Sequence, residues 1–172
     1  TRLSGAAAQD SLAIKVITQD DKAKDWFALN ADFFQEEAVF NFKLKDSLLL
    51  NYEEWTVAPD NLISFGPYGL LVNNFSIKSD TASITANSKE QRANSPIDVA
   101  INNFNLKSIS SLISGDTLFA SGVLSAKALI SEIDKPFPAF TGTAQIESLE
   151  IMEQPIGNLT ASADKENDNE IT

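Results

Sequence analysis

Apolar residues return at every second position along most of this chain, and that rhythm leaves few folds open to it. Period-two alternation marks half-buried strands, because successive strand side chains point to opposite faces. The rows begin with Leu12, Ile14 and Val16, followed by Phe27, Leu29, Ala31 and Phe33, then Ala38, Phe40, Phe42 and Leu44. They continue with Ala82, Ile84 and Ala86, then Ile97, Val99 and Ile101. A long row follows, Leu118, Ala120, Gly122, Leu124, Ala126, Ala128 and Ile130. Phe140, Gly142, Ala144 and Ile146 come next, and Leu159, Ala161 and Ala163 close the series. At Ser148 the phase flips to Leu149 and Ile151, as a bulge or a sharp bend would make it do.

Polar turns separate the rows: APDN at 58–61, FGPYG at 65–69, KEQRANSP at 89–96 and DKPFP at 134–138. Pro96, Pro136, Pro138 and Pro155 stand just before rows, where a missing N–H is tolerated. Strands joined by such short turns pair antiparallel. One segment departs from the rule. In NLKSISSLISG at 105–115, Leu106, Ile109, Leu112 and Ile113 fall at helical spacing, with Gly115 placed to cap. The expectation is an all-β chain, an elongated and mostly antiparallel sheet, with one short helix at about 106–113 lying on the sheet or plugging an end of the core. Two strand segments also look like copies, NNFSI at 73–77 and NNFNL at 102–106, with SLEI at 148–151 a weaker third.

Composition narrows the chemistry. The 172 residues include no His and no Cys, which removes disulfides, thiol chemistry, His/Cys zinc sites and His-dependent triads. The formal net charge of -11 argues against nucleic acid as a partner, since phosphates need a basic face. The paired acids Asp20–Asp21 and Glu53–Glu54 sit at turns or strand ends, where solvated surface is the simpler reading than catalysis. Asp164, Glu166, Asp168 and Glu170 alternate like a calcium loop but lack its central Gly and closing Glu. No catalytic residue, metal ligand or cofactor is expected. Asn74-Phe75-Ser76 and Asn158-Leu159-Thr160 fit a glycosylation sequon that is short enough to arise by chance. The chain reads as a single β domain over 1–163 with an acidic tail at 164–172. Opening on Thr1 with no apolar leader, it reads as a segment of a longer protein.

Some strands are apolar on both faces: Trp26, Ala28 and Phe34 oppose Phe27, Leu29 and Phe33, and Phe119 and Val123 oppose Leu118 and Leu124. A single core cannot use both faces of an antiparallel strand, so a second layer is expected, whether sheet, partner or lipid.

A resemblance gives that layer an identity. LLLNYEEWTVAPDN at 48–61, GLLVNNFSI at 69–77, SPIDVAINNFNLKSISSLI at 95–113 and SGVLSAKALI at 121–130 carry it, with PFPAFTGTAQIESLEIMEQPIGNLTASA at 136–163. Over about two-thirds of its length the chain resembles the TamB family (translocation and assembly module subunit, AsmA-like superfamily), in its Bacteroidetes-like C-terminal region. The resemblance implies a periplasmic segment of an inner-membrane-anchored protein in a Gram-negative bacterium, reaching an outer-membrane partner of the Omp85 class. It implies a β-taco-like trough whose apolar groove shields phospholipid acyl chains in lipid transport between the membranes. It equally allows a chaperone-like module offering sheet edges to outer-membrane β-proteins during outer membrane biogenesis. A closed β-sandwich serving as a spacer is a third possibility. For a trough, the groove is expected to be lined by Phe40, Phe42, Leu44, Leu71, Phe75, Ile77, Leu118, Leu124 and Ile146. With so acidic a chain, acyl chains and not anionic headgroups should provide the contact.

Overall fold

The computed structural model describes residues 1–45, 47–109 and 119–165. The alternating rows become fourteen strands: β1 (Arg2–Ala8), β2 (Ser11–Gln19), β3 (Asp25–Glu36), β4 (Val39–Leu44), β5 (Ser47–Leu50), β6 (Glu53–Val57) and β7 (Leu62–Gly66). The others are β8 (Gly69–Asn73), β9 (Phe75–Lys78), β10 (Ser83–Ser88), β11 (Ile97–Asn105), β12 (Ala120–Ser131), β13 (Ala139–Ile151) and β14 (Gln154–Lys165). All belong to one antiparallel, curved and unclosed sheet. Residues 107–109 open the short helix expected at 106–113, and 110–118 lie outside the described residues.

The strand pairing forks at β3, yet the sheet is a plain meander. β4 and β5 pair with the same edge of β3, Ala31 opposite Leu44 and Ala28 opposite Leu49, so they are one pass of chain in two pieces. The next two passes are divided in the same way: β6 pairs β5 while β7 pairs β4, and β9 pairs β6 while β8 pairs β7. Sequence order and spatial order therefore agree from one edge to the other.

Asn61 bridges the break between β6 and β7. Its amide oxygen accepts from the Leu44 N–H, and its Nδ2 donates to the Leu44 carbonyl, both at 2.9 Å. The side chain thus presents Leu44 with what a strand peptide would, satisfying backbone groups that would otherwise be buried without partners.

The look-alike segments are bulge formers. Asn74, Asn103 and Ser148, the residues just before Phe75, Phe104 and Leu149, all have positive φ, at 44°, 50° and 51°. Each sits at a break or register shift in its strand, and each backbone N–H there is held by a neighbouring side chain: Asn87 for Asn74, Ser125 for Asn103, Asn158 for Ser148. A bulge adds one residue to one strand and resets which face its side chains take. The phase flip legible at Ser148 is one of three.

Through these resets the apolar rows stay on one face of the sheet. Across the ladders Thr18 faces Phe27, Phe27 faces Leu50, Val57 faces Ile77, Ile77 faces Ile84, Ile84 faces Ile101, and Ile101 faces Ala126. The row goes on to Ala144 and Ala161 in the last two strands. This face is the one the sheet curls around. Trp55 on β6 and Phe104 on β11 have ring centroids 5.8 Å apart. β9 and β10 lie between those strands, so a flat sheet would hold them about 14 Å apart at the usual inter-strand spacing. Trp55 and Phe104, 1% and 2% exposed, are the centre of a core that includes Leu44, Leu48, Leu50, Val57, Ile77 and Ala82. Leu106, on the approach to the helix, packs against the same cluster.

Candidate functional site

The core fills only one end of the curled face. At that end lie the turns at 20–24, 51–52 and 79–82 and the departure of the chain into the helix. At the other end Val72 and Ile97 are buried on the same face, but its aromatic wall stays open. Phe33, Phe40 and Phe65 remain 39%, 48% and 44% exposed, although all three stand on the face that is buried further along. The pairing assembles them: Phe33 opposes Phe42, Phe42 opposes Ile63, Phe40 opposes Phe65, and Phe65 opposes Leu70. Phe40 and Phe65 stack at 5.4 Å between centroids, and Phe33 tilts against Phe42 at 4.8 Å. Aromatic pairs at such separations gain about 0.5–1.5 kcal/mol beyond burial, so the patch is a fixed surface.

This patch forms one wall of a groove of about 850 Å³. Phe40, Phe65 and Leu70 line it from one side, and Ile133 and Asp134, in the turn between β12 and β13, line it from the other. Gly66 lets the wall close up: a Cβ there would come within 2.8 Å of the Ala38 carbonyl oxygen. A volume of this order suits a small amphiphile or a length of acyl chain.

A larger hollow of about 950 Å³ lies over β10–β14. The residues there that share ladder rows with Lys127 are Thr85, Ala100, Thr143 and Ser162, on the face opposite the aromatic patch. Its walls carry hydroxyls, Asp98, Asp164 and that single lysine beside Val99 and Leu129, and no aromatic ring.

The expected groove residues divide by position. Phe40, Phe42 and Leu44 share the curled face with Phe75, Ile77, Leu124 and Ile146. Within that set, Leu44 and Ile77 are buried in the core, and Phe42, Phe75 and Leu124 pack against it. Among the described residues of the nine, Phe40 alone lines the open groove. Leu71 is a correction: it opposes Ser64, which opposes Asn41, and so projects from the other face, while Val72 takes the apolar position. The reason is Asn74. Counting in twos from Phe75 back to Leu71 ignores the left-handed residue that shifts the phase. Leu118 lies outside the described residues.

Phe65, Leu70 and Ile133 were not anticipated. Phe65 and Leu70 sat in or beside a stretch read wholly as a turn, FGPYG, where only Pro67 and Tyr68 leave the strands. The signal was the short alternation of Ile63 and Phe65. Ile133 left no signal in the sequence.

Among the remaining polar candidates, Asp20, Asn74 and Asn158 have structural partners. Asp20 Oδ1 accepts from the Lys22 and Lys24 backbone N–H groups, and Oδ2 accepts from the Tyr52 hydroxyl at 2.7 Å. The Tyr52 hydrogen bond above all, with the backbone donors and the Lys22 charge, holds the Asp20 carboxyl below its ordinary value. In the two sequon-like segments, the Asn74 amide donates to Asp60 and the Asn158 side-chain oxygen accepts from Ser148 N–H. Of the acidic tail, residues 166–172 lie outside the described residues. No helix among the described residues is long and apolar enough to cross a membrane.

No protein-family model, curated protein or solved structure matches the chain.

Proposed function

We propose that the protein is a lipid-shielding trough of the TamB kind, holding acyl chains against the curled apolar face while they pass between two membranes. The observation that carries the reading is the exposure of Phe40 and Phe65, stacked on a face whose other end is a closed core. A folded chain rarely leaves a contiguous aromatic surface open unless something binds there. An acyl chain suits it because burying each methylene contributes about 0.8 kcal/mol and asks for no fixed hydrogen-bond partner. On this reading the segment works in the periplasm, within a longer inner-membrane-anchored protein that meets an Omp85-class partner, and does no covalent chemistry.

Mass spectrometry of the protein under native conditions, followed by solvent extraction, tests the reading. Acyl lipid released from the folded protein is the expected result. Protein that carries no lipid and takes up none from vesicles would overturn it.

A second reading, a chaperone-like module for outer-membrane β-proteins, draws support from the sheet's edges. Among the described residues the outer edges of β1 and β14 have no strand partner, and such edges can template an added strand.

A further inference from the structure

A meander joins each pass of chain to the next by a backbone ladder, and this sheet leaves out half of one. β9 pairs with β10. Among the described residues β8, the other half of the same pass, pairs with β7 alone, and no ladder joins it to β10. Side chains close the gap instead. The Val72 N–H donates to Ser88 Oγ and the Leu70 N–H to Asn94 Oδ1, each at 3.0 Å, and Gln91 Nε2 donates to Asn73 Oδ1. A backbone bond also crosses here, from the Asn94 N–H to the Leu70 carbonyl at 2.8 Å.

Three breaks line up at the root of the same unit. β4 ends at Leu44, β7 begins after the 58–61 turn, and β8 ends before the left-handed Asn74. β4, β7 and β8 are thereby set off from β5, β6 and β9, with a ladder to β3 on one side and the side-chain seam on the other. They carry Phe40, Phe65 and Leu70, the aromatic wall of the groove, and Asn94 of the seam lines that groove too. From this we infer that the wall is a hinged flap, latched to β10 through Ser88 and Asn94, that swings aside to admit a ligand sideways into the groove. The flap is argued from the strand pairing; its use by an acyl ligand rests on the trough reading.

Side-chain bonds suit a latch. A hydroxyl or amide turns away by rotating about its own χ angles, whereas a ladder opens only with its neighbours. Stacking of Phe40 on Phe65 ties β4 to β7, so the wall moves as one piece. Opening uncovers the buried Val72, which favours the closed flap until a ligand covers the apolar face in its place.

Amide hydrogen exchange of the whole chain, resolved by residue with NMR, tests the flap without a ligand. Strand alternation turns the Val72 N–H toward the seam and those of Leu71 and Asn73 toward β7, so one strand holds the probe between two controls. Val72 is expected to exchange at least about a hundredfold faster than Leu71 and Asn73, although it is the most buried of the three. Ser88→Ala should speed Val72 about tenfold further and leave the controls unchanged. Stopped-flow mixing of this variant with a fluorescent single-chain acyl probe should show faster uptake and release at a similar affinity. Equal protection of the three amides would mean that the seam parts only on unfolding, and would overturn the inference. Faster Val72 exchange with unchanged probe kinetics would overturn the flap's part in admitting ligand. A probe that neither protein binds would overturn the trough reading, while the exchange pattern still decides the flap.

Discussion

Asn61 takes the place of a strand for Leu44, meeting its backbone N–H and carbonyl with one side-chain amide at 2.9 Å each. The same Nδ2 also donates to the Ala58 carbonyl, so the amide ties the 58–61 turn to the neighbouring pass of chain. At 1% exposed, Asn61 gives water no route to replace these bonds.

Replacing Asn61 by Ala should therefore strand two buried backbone groups, at a cost of about 2–4 kcal/mol. Asn61→Asp keeps the acceptor for Leu44 N–H but faces the Leu44 carbonyl with a carboxylate, and should be no better tolerated. Urea denaturation with an unchanged slope and a lowered midpoint would show it. A loss under about 0.5 kcal/mol would mean that the break is held by other contacts.

Gly122 marks the bulge where β12 and β13 shift register, with φ at 130°. An added Cβ would come within 2.9 Å of the Glu147 carbonyl oxygen, so Gly122→Ala should destabilise by about 1–3 kcal/mol or displace the bulge. Gly157, at φ 101° on β14, has nothing within 4 Å of a built Cβ. Gly157→Ala should therefore cost less, from backbone strain alone. Paired thermal melts of the two variants give the order, and the reverse order would contradict the assignment of the bulge to close packing.

The Tyr52–Asp20 bond makes a pH prediction with two limbs. Asp20 is held below 3.8 and Tyr52 above 10.0, each chiefly by the hydrogen bond to the other. A lowered carboxyl contributes stability above its unfolded value, and loses it as pH falls through the folded one. A raised phenol contributes below its unfolded value and loses it as pH rises through the folded one. The difference in thermal midpoint between the protein and Tyr52→Phe should thus be level across neutral pH and shrink at both extremes. Both groups are exposed, so the difference will be small and salt-sensitive. A difference confined to the alkaline limb would mean that Asp20 is held by its backbone donors alone.

How much of this was written in the sequence can be judged from particular residues. Among the described residues the rows from Leu12 to Ala163 mark strands, with Ala38 and Ala82 just outside them, because burial on one face enforces alternation whatever the neighbours are. The bulge at Ser148 shows because apolar residues flank it closely enough to reveal the change of phase. The same device at Asn74 is hidden, since Leu71 and Val72 are both apolar and either could take the inner face. The breaks after Leu44 and at 58–61 depend on Asn61 reaching across to Leu44, a pairing seventeen residues apart that no local pattern records. The groove is less legible still. Phe40 and Leu44 belong to one row, yet one is open and the other is core. What separates them is the curl that brings Phe104 onto Trp55 at one end of the sheet and leaves the other end apart.

The central claim is that the apolar face is a closed core at one end and a binding groove at the other. The variant Phe40→Asp/Phe65→Asp tests it directly, when its affinity for a fluorescent single-chain acyl probe is measured beside its far-ultraviolet circular dichroism. Carboxylates at these positions can stay hydrated, so the strand spectrum should be unchanged while binding weakens at least about tenfold, or 1.4 kcal/mol. Unfolding of the variant would show that both rings belong to a sealed core, and unweakened binding by a folded variant would place the ligand elsewhere; either result contradicts the account.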